Sequence, residues 1–102
     1  MKIAILGGGS WGTALAVHLA RNNNDIKVWE FFEEQAQEMQ EKRVCKLLPE
    51  VKLAENIFVS SKMEEVLADS ELVLLVVPSD KVESTISIAK EFISEQPVVI
   101  CS

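Results

Sequence analysis

A chain of 102 residues has room for one domain, and at this size folding buries only about 60 to 65% of the surface the unfolded chain exposes, so the stability margin is modest. With 48% hydrophobic and 25% charged residues, the composition is that of a folded globular protein, and the net charge of −6 opposes nonspecific association with nucleic acid or an anionic membrane. No apolar run approaches the roughly 18 to 20 residues of a membrane span, and the apolar N-terminus is cut at Gly7, too short for a signal-peptide core, so a cytoplasmic protein with neither nucleic-acid nor membrane partners is expected.

The first element is a strand at 2–6 (KIAIL), followed by the glycine-rich stretch 7–12 and a helix from Ser10 to about Asn22. Gly12, Ala16 and Ala20 fall at i, i+4 and i+8 of that helix, a ridge of the smallest residues that can lie close to a sheet. His18 sits mid-helix with no carboxylate nearby in sequence and reads as structural or exposed. A second strand is expected at 26–30 (IKVWE) and a second helix at 31–43, with acids Glu33 and Glu34 at its start, Lys42 and Arg43 at its end, and Phe32, Ala36 and Met39 as its buried stripe. Residues 44–56 read as a long irregular segment containing one proline, of the kind that often acts as a functional loop or lid.

Further on, a strand at 57–60 (IFVS) leads into a short helix opened by Ser61-x-x-Glu64, a capping box, with Val66 and Leu67 as apolar contacts. The strand 72–77 (LVLLVV) is apolar at every position, which predicts burial on both faces. A fourth helix is expected over 79–94, with Val82, Ile86, Ala89 and Ile93 inward, and a last strand at 98–101. Asp80 and Glu83 read as a helix cap, and Lys81 as an exposed first-turn lysine. Cys45 and Cys101 have neither CxxC spacing nor clustered ligands and read as plain thiols, and no metal site, nucleophile or acid/base dyad is indicated.

Strands alternating with helices predict a Rossmann-type α/β fold, a doubly wound parallel sheet of five strands in order 3-2-1-4-5, with residues 1–102 forming one dinucleotide-binding domain. All four glycines of the chain fall in its first strand-to-helix turn, with the spacing Gly7-x-Gly9-x-x-Gly12. The first permits a tight turn, the second lets the backbone approach a pyrophosphate, and the third allows close helix packing, while the helix start directs free amides and partial positive charge at the phosphates. The second strand ends in Glu30, 18 residues after Gly12, where a carboxylate can accept hydrogen bonds from the adenosine ribose hydroxyls. That carboxylate would repel a 2′-phosphate, and no Lys or Arg lies between Trp29 and Gln40 to offset it, so NAD is expected in preference to NADP. The plainer alternative is a turn that only joins strand to helix, with Glu30 a solvated acid.

The stretch GGGSWGTALA at 7–16 resembles the N-terminal signature of NAD(P)-dependent glycerol-3-phosphate dehydrogenases, with the Ser10-Trp11 pair its most specific part. Val28-Trp29, the run Leu48-Pro49-Glu50-Val51-Lys52-Leu53 with Asn56, and Val76-Val77-Pro78-Ser79 resemble three further stretches of that family, so the likeness spans the chain. The resemblance implies that Ser10 and Trp11 contact the cofactor pyrophosphate, that Phe31 lies on the adenine side, and that the Pro78-Ser79 turn borders the nicotinamide half. Together with Gly7, Gly9, Gly12 and Glu30 these are the candidate cofactor-binding residues; no catalytic residue is expected in this chain. Glu30-Phe31-Phe32 stands where bacterial members often carry Arg or His, and Ala54 replaces a usual proline.

The parent reaction implied is hydride transfer between NAD(H) and C2 of glycerol 3-phosphate, giving dihydroxyacetone phosphate. In the family the last strand runs into a Lys-Gly pair and a helical substrate domain, so this chain resembles the cofactor-binding portion only. A noncatalytic nucleotide-binding module, or the cofactor domain of another hydroxy-acid or sugar dehydrogenase, are the alternatives. Residues 98–101 are expected to form an exposed edge strand that invites a homodimer.

Overall fold

In β1 (Lys2–Leu6) Ile3 and Ile5 face one side of the sheet and Ala4 and Leu6 the other, and all four are buried, which requires cover on both faces. The computed structural model describes residues 1–101 and supplies that cover. β1 pairs in parallel with β2 (Asp25–Trp29) on one side and β6 (Leu72–Leu75) on the other; β2 pairs with β5 (Ile57–Ser60), and β6 with β7 (Val98–Ile100). The sheet therefore runs β5-β2-β1-β6-β7.

Counted along the whole chain, this is not 3-2-1-4-5. Segment 44–56, expected to be irregular, contributes two strands of its own, β3 (Val44–Cys45) and β4 (Leu48–Lys52), paired antiparallel in a separate two-stranded sheet. Its inward residues are spaced to cover the core: Cys45 and Leu53 are buried and Leu48 and Val51 pack against the same cluster. Arg43 turns the chain out of the preceding helix in a left-handed conformation (φ 60°), and its guanidinium donates to the carbonyls of Ala54 and Ile57, closing the base of the hairpin.

Two cores result. On one face, α1 (Ser10–Ala20) and α2 (Glu33–Lys42) enclose Ile3, Ile5, Ile26, Val28, Ile57 and Val59. The small ridge of α1 is buried as expected at Gly12, Ala16 and Ala20, and the helix ends two residues short of Asn22. On the other face, α3 (Met63–Leu67) and α4 (Val82–Ala89) cover Ala4, Leu6, Trp29, Val73 and Leu75. Trp29 is held there by its indole N–H, which donates to the Ser61 carbonyl at 2.9 Å.

Several local expectations are corrected. Phe32 precedes α2 instead of lining it, and is exposed; only Ala36 and Met39 of the expected stripe are buried. The Ser61–Glu64 capping box does not form: Lys62 caps α3, Ser60 Oγ accepts the Lys62 amide, and the same hydroxyl donates to Glu65. The helix expected over 79–94 is α4 flanked by 3-10 turns at Ser79–Lys81 and Lys90–Phe92, and Thr85, not Ile86, takes the buried position beside Ala89. β6 stops at Leu75, two residues before the expected end: the Val76 amide still donates to the Leu6 carbonyl at 2.9 Å, and the chain then turns away at Val77. No helix among the described residues is long and apolar enough to cross a membrane.

Candidate functional site

The chain passes from β1 to β2 to β5 on one side of the sheet and returns to the other side for β6 and β7, so the crevice between the carboxyl ends of β1 and β6 is the topological switch point. The glycine loop lies there. Gly7 has φ 138°, a conformation that L side chains rarely adopt, and a Cβ on it would collide with the Val76 carbonyl leaving β6. A Cβ on Gly12 would collide with the Gly7 carbonyl, so the first and third glycines are required for the turn to close on itself.

Gly9 differs from both. It is exposed, its backbone is ordinary extended structure (φ −74°, ψ −173°), and a Cβ there would meet nothing within 4 Å. The protein itself gives no reason for glycine at this position; the open space in front of it is what a ligand approaching the backbone requires. Gly9 caps α1, whose ladder begins with the Thr13 amide donating to the Gly9 carbonyl at 2.9 Å, leaving the Ser10, Trp11 and Gly12 amides ahead of the ladder. Ser10 and Trp11 are both exposed, Trp11 at 66%, so the indole takes no part in the core.

Gly8, which the G-x-G-x-x-G spacing leaves unassigned, has its own partner. A Cβ on it would strike the Glu30 carboxylate, so the loop lies flat against that side chain. Glu30 follows β2 by one residue, its amide donating to the Ser60 carbonyl at 3.0 Å, and the residue is only 8% exposed. Burial pushes its carboxyl above the ordinary glutamate range, partly offset by the Phe32 amide, which donates to Oε1 at 3.3 Å. A buried acid with one hydrogen bond retains unused acceptor capacity.

That capacity faces a cleft of about 340 Å³ lined by Gly8, Gly9, Glu30, Gln35 and the turn of the hairpin at Cys45, Lys46 and Leu47. The hairpin is tied to the loop through the buried Cys45 thiol, which donates to the Gly8 carbonyl at 3.6 Å. Phe31 is exposed just beyond Glu30, edge-on to Phe32 with ring centroids 5.1 Å apart and to Trp29 at 5.9 Å. Pro78 is exposed in the turn after β6, its carbonyl accepting the Lys81 amide at 2.8 Å.

The structure thus brings Gly7, Gly9, Ser10, Trp11, Gly12 and Glu30 to one end of the sheet, with Phe31 and Pro78 on loops at the same edge. Gly8, Gln35, Cys45 and Lys46 were not singled out from sequence as parts of a site. The third consecutive glycine was the available signal for Gly8; the others depend on a hairpin whose strands are too short to read. Both cysteines are free, and among the described residues no group of three or more His, Cys, Asp or Glu side chains is placed to hold a metal. The residues present fit a dinucleotide: an open glycine at a helix start, and an acceptor-only side chain at the end of the adjoining strand.

Residues 2–102 match the family described as NAD-dependent glycerol-3-phosphate dehydrogenase N-terminus. The chain is 37% identical over 100 residues to the glycerol-3-phosphate dehydrogenase (NAD(P)+) of Bacillus licheniformis, covering 97% of this chain and 29% of that protein. It is 47% identical over 79 residues to the enzyme of the same name from Leuconostoc mesenteroides, covering 76% of this chain and 24% of that one. The crystal structure of glycerol-3-phosphate dehydrogenase from Coxiella burnetii is similar with a TM-score of 0.92 at 33% identity, over 97% of this chain and 31% of that one. The chain therefore spans less than a third of the length of these relatives.

Proposed function

The chain belongs to the family of NAD-dependent glycerol-3-phosphate dehydrogenase N-terminal domains, and on that premise we propose that residues 1–102 form a dinucleotide-binding domain that holds NAD across the glycine loop. The observation that carries this reading is the pairing of an open Gly9 with a buried Glu30 beside one cleft. In this reading Gly7 and Gly12 shape the turn, the exposed amides at the start of α1 receive the pyrophosphate, and Ser10 and Trp11 flank it. Glu30 accepts the adenosine ribose hydroxyls, Phe31 offers its ring on the adenine side, and the Pro78 turn borders the nicotinamide half.

When bound, the nicotinamide supplies or accepts a hydride. The whole protein is proposed to interconvert sn-glycerol 3-phosphate and dihydroxyacetone phosphate in the cytoplasm, with NAD preferred over NADP. This chain orients the cofactor for that reaction and contributes no catalytic residue; the proton acceptor and the substrate phosphate site lie outside it. Nucleic acid and membrane are not partners in this reading. A homodimer can form through β7, whose Val98, Val99 and Ile100 are all exposed at the sheet edge.

The test is a titration of the purified chain with NADH and with NADPH, following quenching of tryptophan emission and energy transfer to the nicotinamide; Trp11 in the loop and Trp29 beneath it are the two reporters. Saturable NADH binding tighter than NADPH binding is expected. NADPH binding equally well or better removes the role given to Glu30, and absence of binding by both removes the cofactor reading.

A further inference from the structure

The cleft beside the glycine loop is lined by a cation that the glycine motif does not explain. Lys46, in the turn between β3 and β4, shares this cleft with Gly9 and Glu30, and its Nζ lies 3.2 Å from Glu38 Oε2. Glu38, on α2, also receives Lys42 on its other oxygen at 3.3 Å and lines the same cleft. Both lysines, Lys46 foremost, hold the Glu38 carboxyl below the usual range.

The charges decide what the cleft tolerates. The Glu38 carboxylate is matched by Lys42 and Lys46, whereas Glu30 has no cation on it, so a ribose with free hydroxyls is accommodated beside Glu30 while a 2′-phosphate, carrying close to two further negative charges, is disfavoured there unless a cation is released to it. Residues 30–39 contain no basic side chain. The fold nevertheless carries a lysine into this cleft from the hairpin, and that lysine is engaged by a neighbouring carboxylate. A lysine has a flexible stem and three rotatable donors, and with its side chain 74% exposed Lys46 is free to exchange Glu38 for another anion.

Resting on the reading of this cleft as the ribose site, we propose that Lys46 reads the 2′ position of the adenosine ribose, binding a 2′-phosphate where one is present, and that Glu38 competes with that phosphate for it. The Glu38–Lys46 pair is then a second selectivity element beside Glu30. It biases the domain toward NAD while leaving NADP a usable contact.

The experiment is the fluorescence titration with NADH and NADPH at low salt on three forms of the chain: wild type, Lys46→Gln and Glu38→Gln, with thermal unfolding as the control for folding. Lys46→Gln is expected to weaken NADPH by about 5- to 10-fold, as for the loss of one charge-assisted contact near the surface, and to leave NADH within about twofold. Glu38→Gln is expected to tighten NADPH by about 3- to 10-fold with NADH little changed, and to create a measurable NADPH signal if the wild type gives none. Equal effects of Lys46→Gln on both cofactors, or no effect on either, overturn the assignment of Lys46; an unchanged NADPH affinity in Glu38→Gln overturns the competition. NADH binding with an unaltered NADPH-to-NADH ratio refutes only this inference, whereas absence of binding by wild type to both cofactors refutes the cofactor reading as well.

Discussion

Replacing Gly9 and Gly12 separately by alanine distinguishes a phosphate cradle from a turn that merely joins β1 to α1. At Gly9 the backbone is one any residue adopts and the added methyl meets nothing, so the folded state gains no clash. Alanine is a poorer N-cap than glycine by about 0.5 kcal/mol, and it reduces the entropy of the unfolded chain by a similar amount, so the net change is about zero. At Gly12 alanine gains up to about 1 kcal/mol in helix propensity, but its Cβ collides with the Gly7 carbonyl, a backbone atom that cannot rotate away. Overpacking of this kind costs about 1 to 3 kcal/mol, and the Gly7 turn against Val76 must shift with it. For a chain of 102 residues the midpoint moves by about 4 to 8 °C per kcal/mol. Gly12→Ala is therefore expected to melt lower by about 5 to 15 °C, and Gly9→Ala within about 3 °C of wild type, by circular dichroism. NADH affinity should reverse that order of severity per degree: Gly9→Ala, fully folded, is expected to lose at least about tenfold, since a methyl holds the phosphate away from amides whose charged hydrogen bonds are worth about 1.5 to 3 kcal/mol. A Gly9→Ala chain that binds NADH like wild type would refute the cradle. One that unfolds like Gly12→Ala would refute the geometry on which it rests.

Three other variants carry expected outcomes. Glu30→Gln should weaken NADH by about tenfold and lift NADPH relative to it, and wild-type NADH affinity should fall on acidification at a pH above the ordinary glutamate range, a dependence absent from the variant, as read by titration between pH 5 and 8. Because the folded chain holds the Glu30 proton more tightly than the unfolded chain, wild type should lose stability relative to Glu30→Gln as pH rises through the raised folded-state value; a wild type that gains instead contradicts the burial argument. Asn56→Ala removes two side-chain donations of 2.9 Å, to the Ala20 and Asn24 carbonyls, and should lower the urea midpoint by the equivalent of about 1 to 3 kcal/mol without altering NADH binding. Val99→Lys, on the exposed β7 edge, should convert any concentration-dependent dimer to monomer by light scattering; an unchanged mass distribution places the contact elsewhere.

The sheet was legible because its code is short and local. Ile3 to Leu6 of β1 are all buried, β6 is apolar throughout, and the turn between β1 and α1 carries glycines at positions where two backbone segments nearly touch. Residues whose environment is set by a partner distant in sequence were not legible. The hairpin at 44–52 has a two-residue strand with a register shift between Val44 and Cys45, too short and irregular for any period to show. Phe32 occupies an apolar position of the helical pattern yet lies before the first turn of α2, exposed, because the chain leaves Glu30 in extended structure. Thr85 takes a core position that hydropathy assigned to Ile86, because the inward face that carries Val82 and Ala89 passes through position 85, a polar residue that hydropathy alone places outside. Arg43 is the clearest case: a basic residue at a helix end reads as dipole complement, whereas here it holds a left-handed turn and the carbonyls of Ala54, before β5, and Ile57, at its start.

The same reasoning accounts for the fourth glycine. Gly7 and Gly12 exclude a Cβ because backbone carbonyls already stand there, those of Val76 and Gly7 respectively, and at Gly8 a Cβ would displace the Glu30 carboxylate. The loop thus lies close against β6, the end of β2 and itself, and it is held there by the Gly7 amide, which donates to the Trp29 carbonyl, and at the Gly8 carbonyl by the hydroxyl of Thr13 and the thiol of Cys45. A loop restrained from so many directions loses little freedom when an anion binds, so the ordering cost that weakens flexible sites is already met in folding. Gly9 alone faces open space. Its lack of contact is informative because every glycine around it is confined: the surrounding residues set the peptide in place and leave this one position bare, as the proposed cofactor cradle requires.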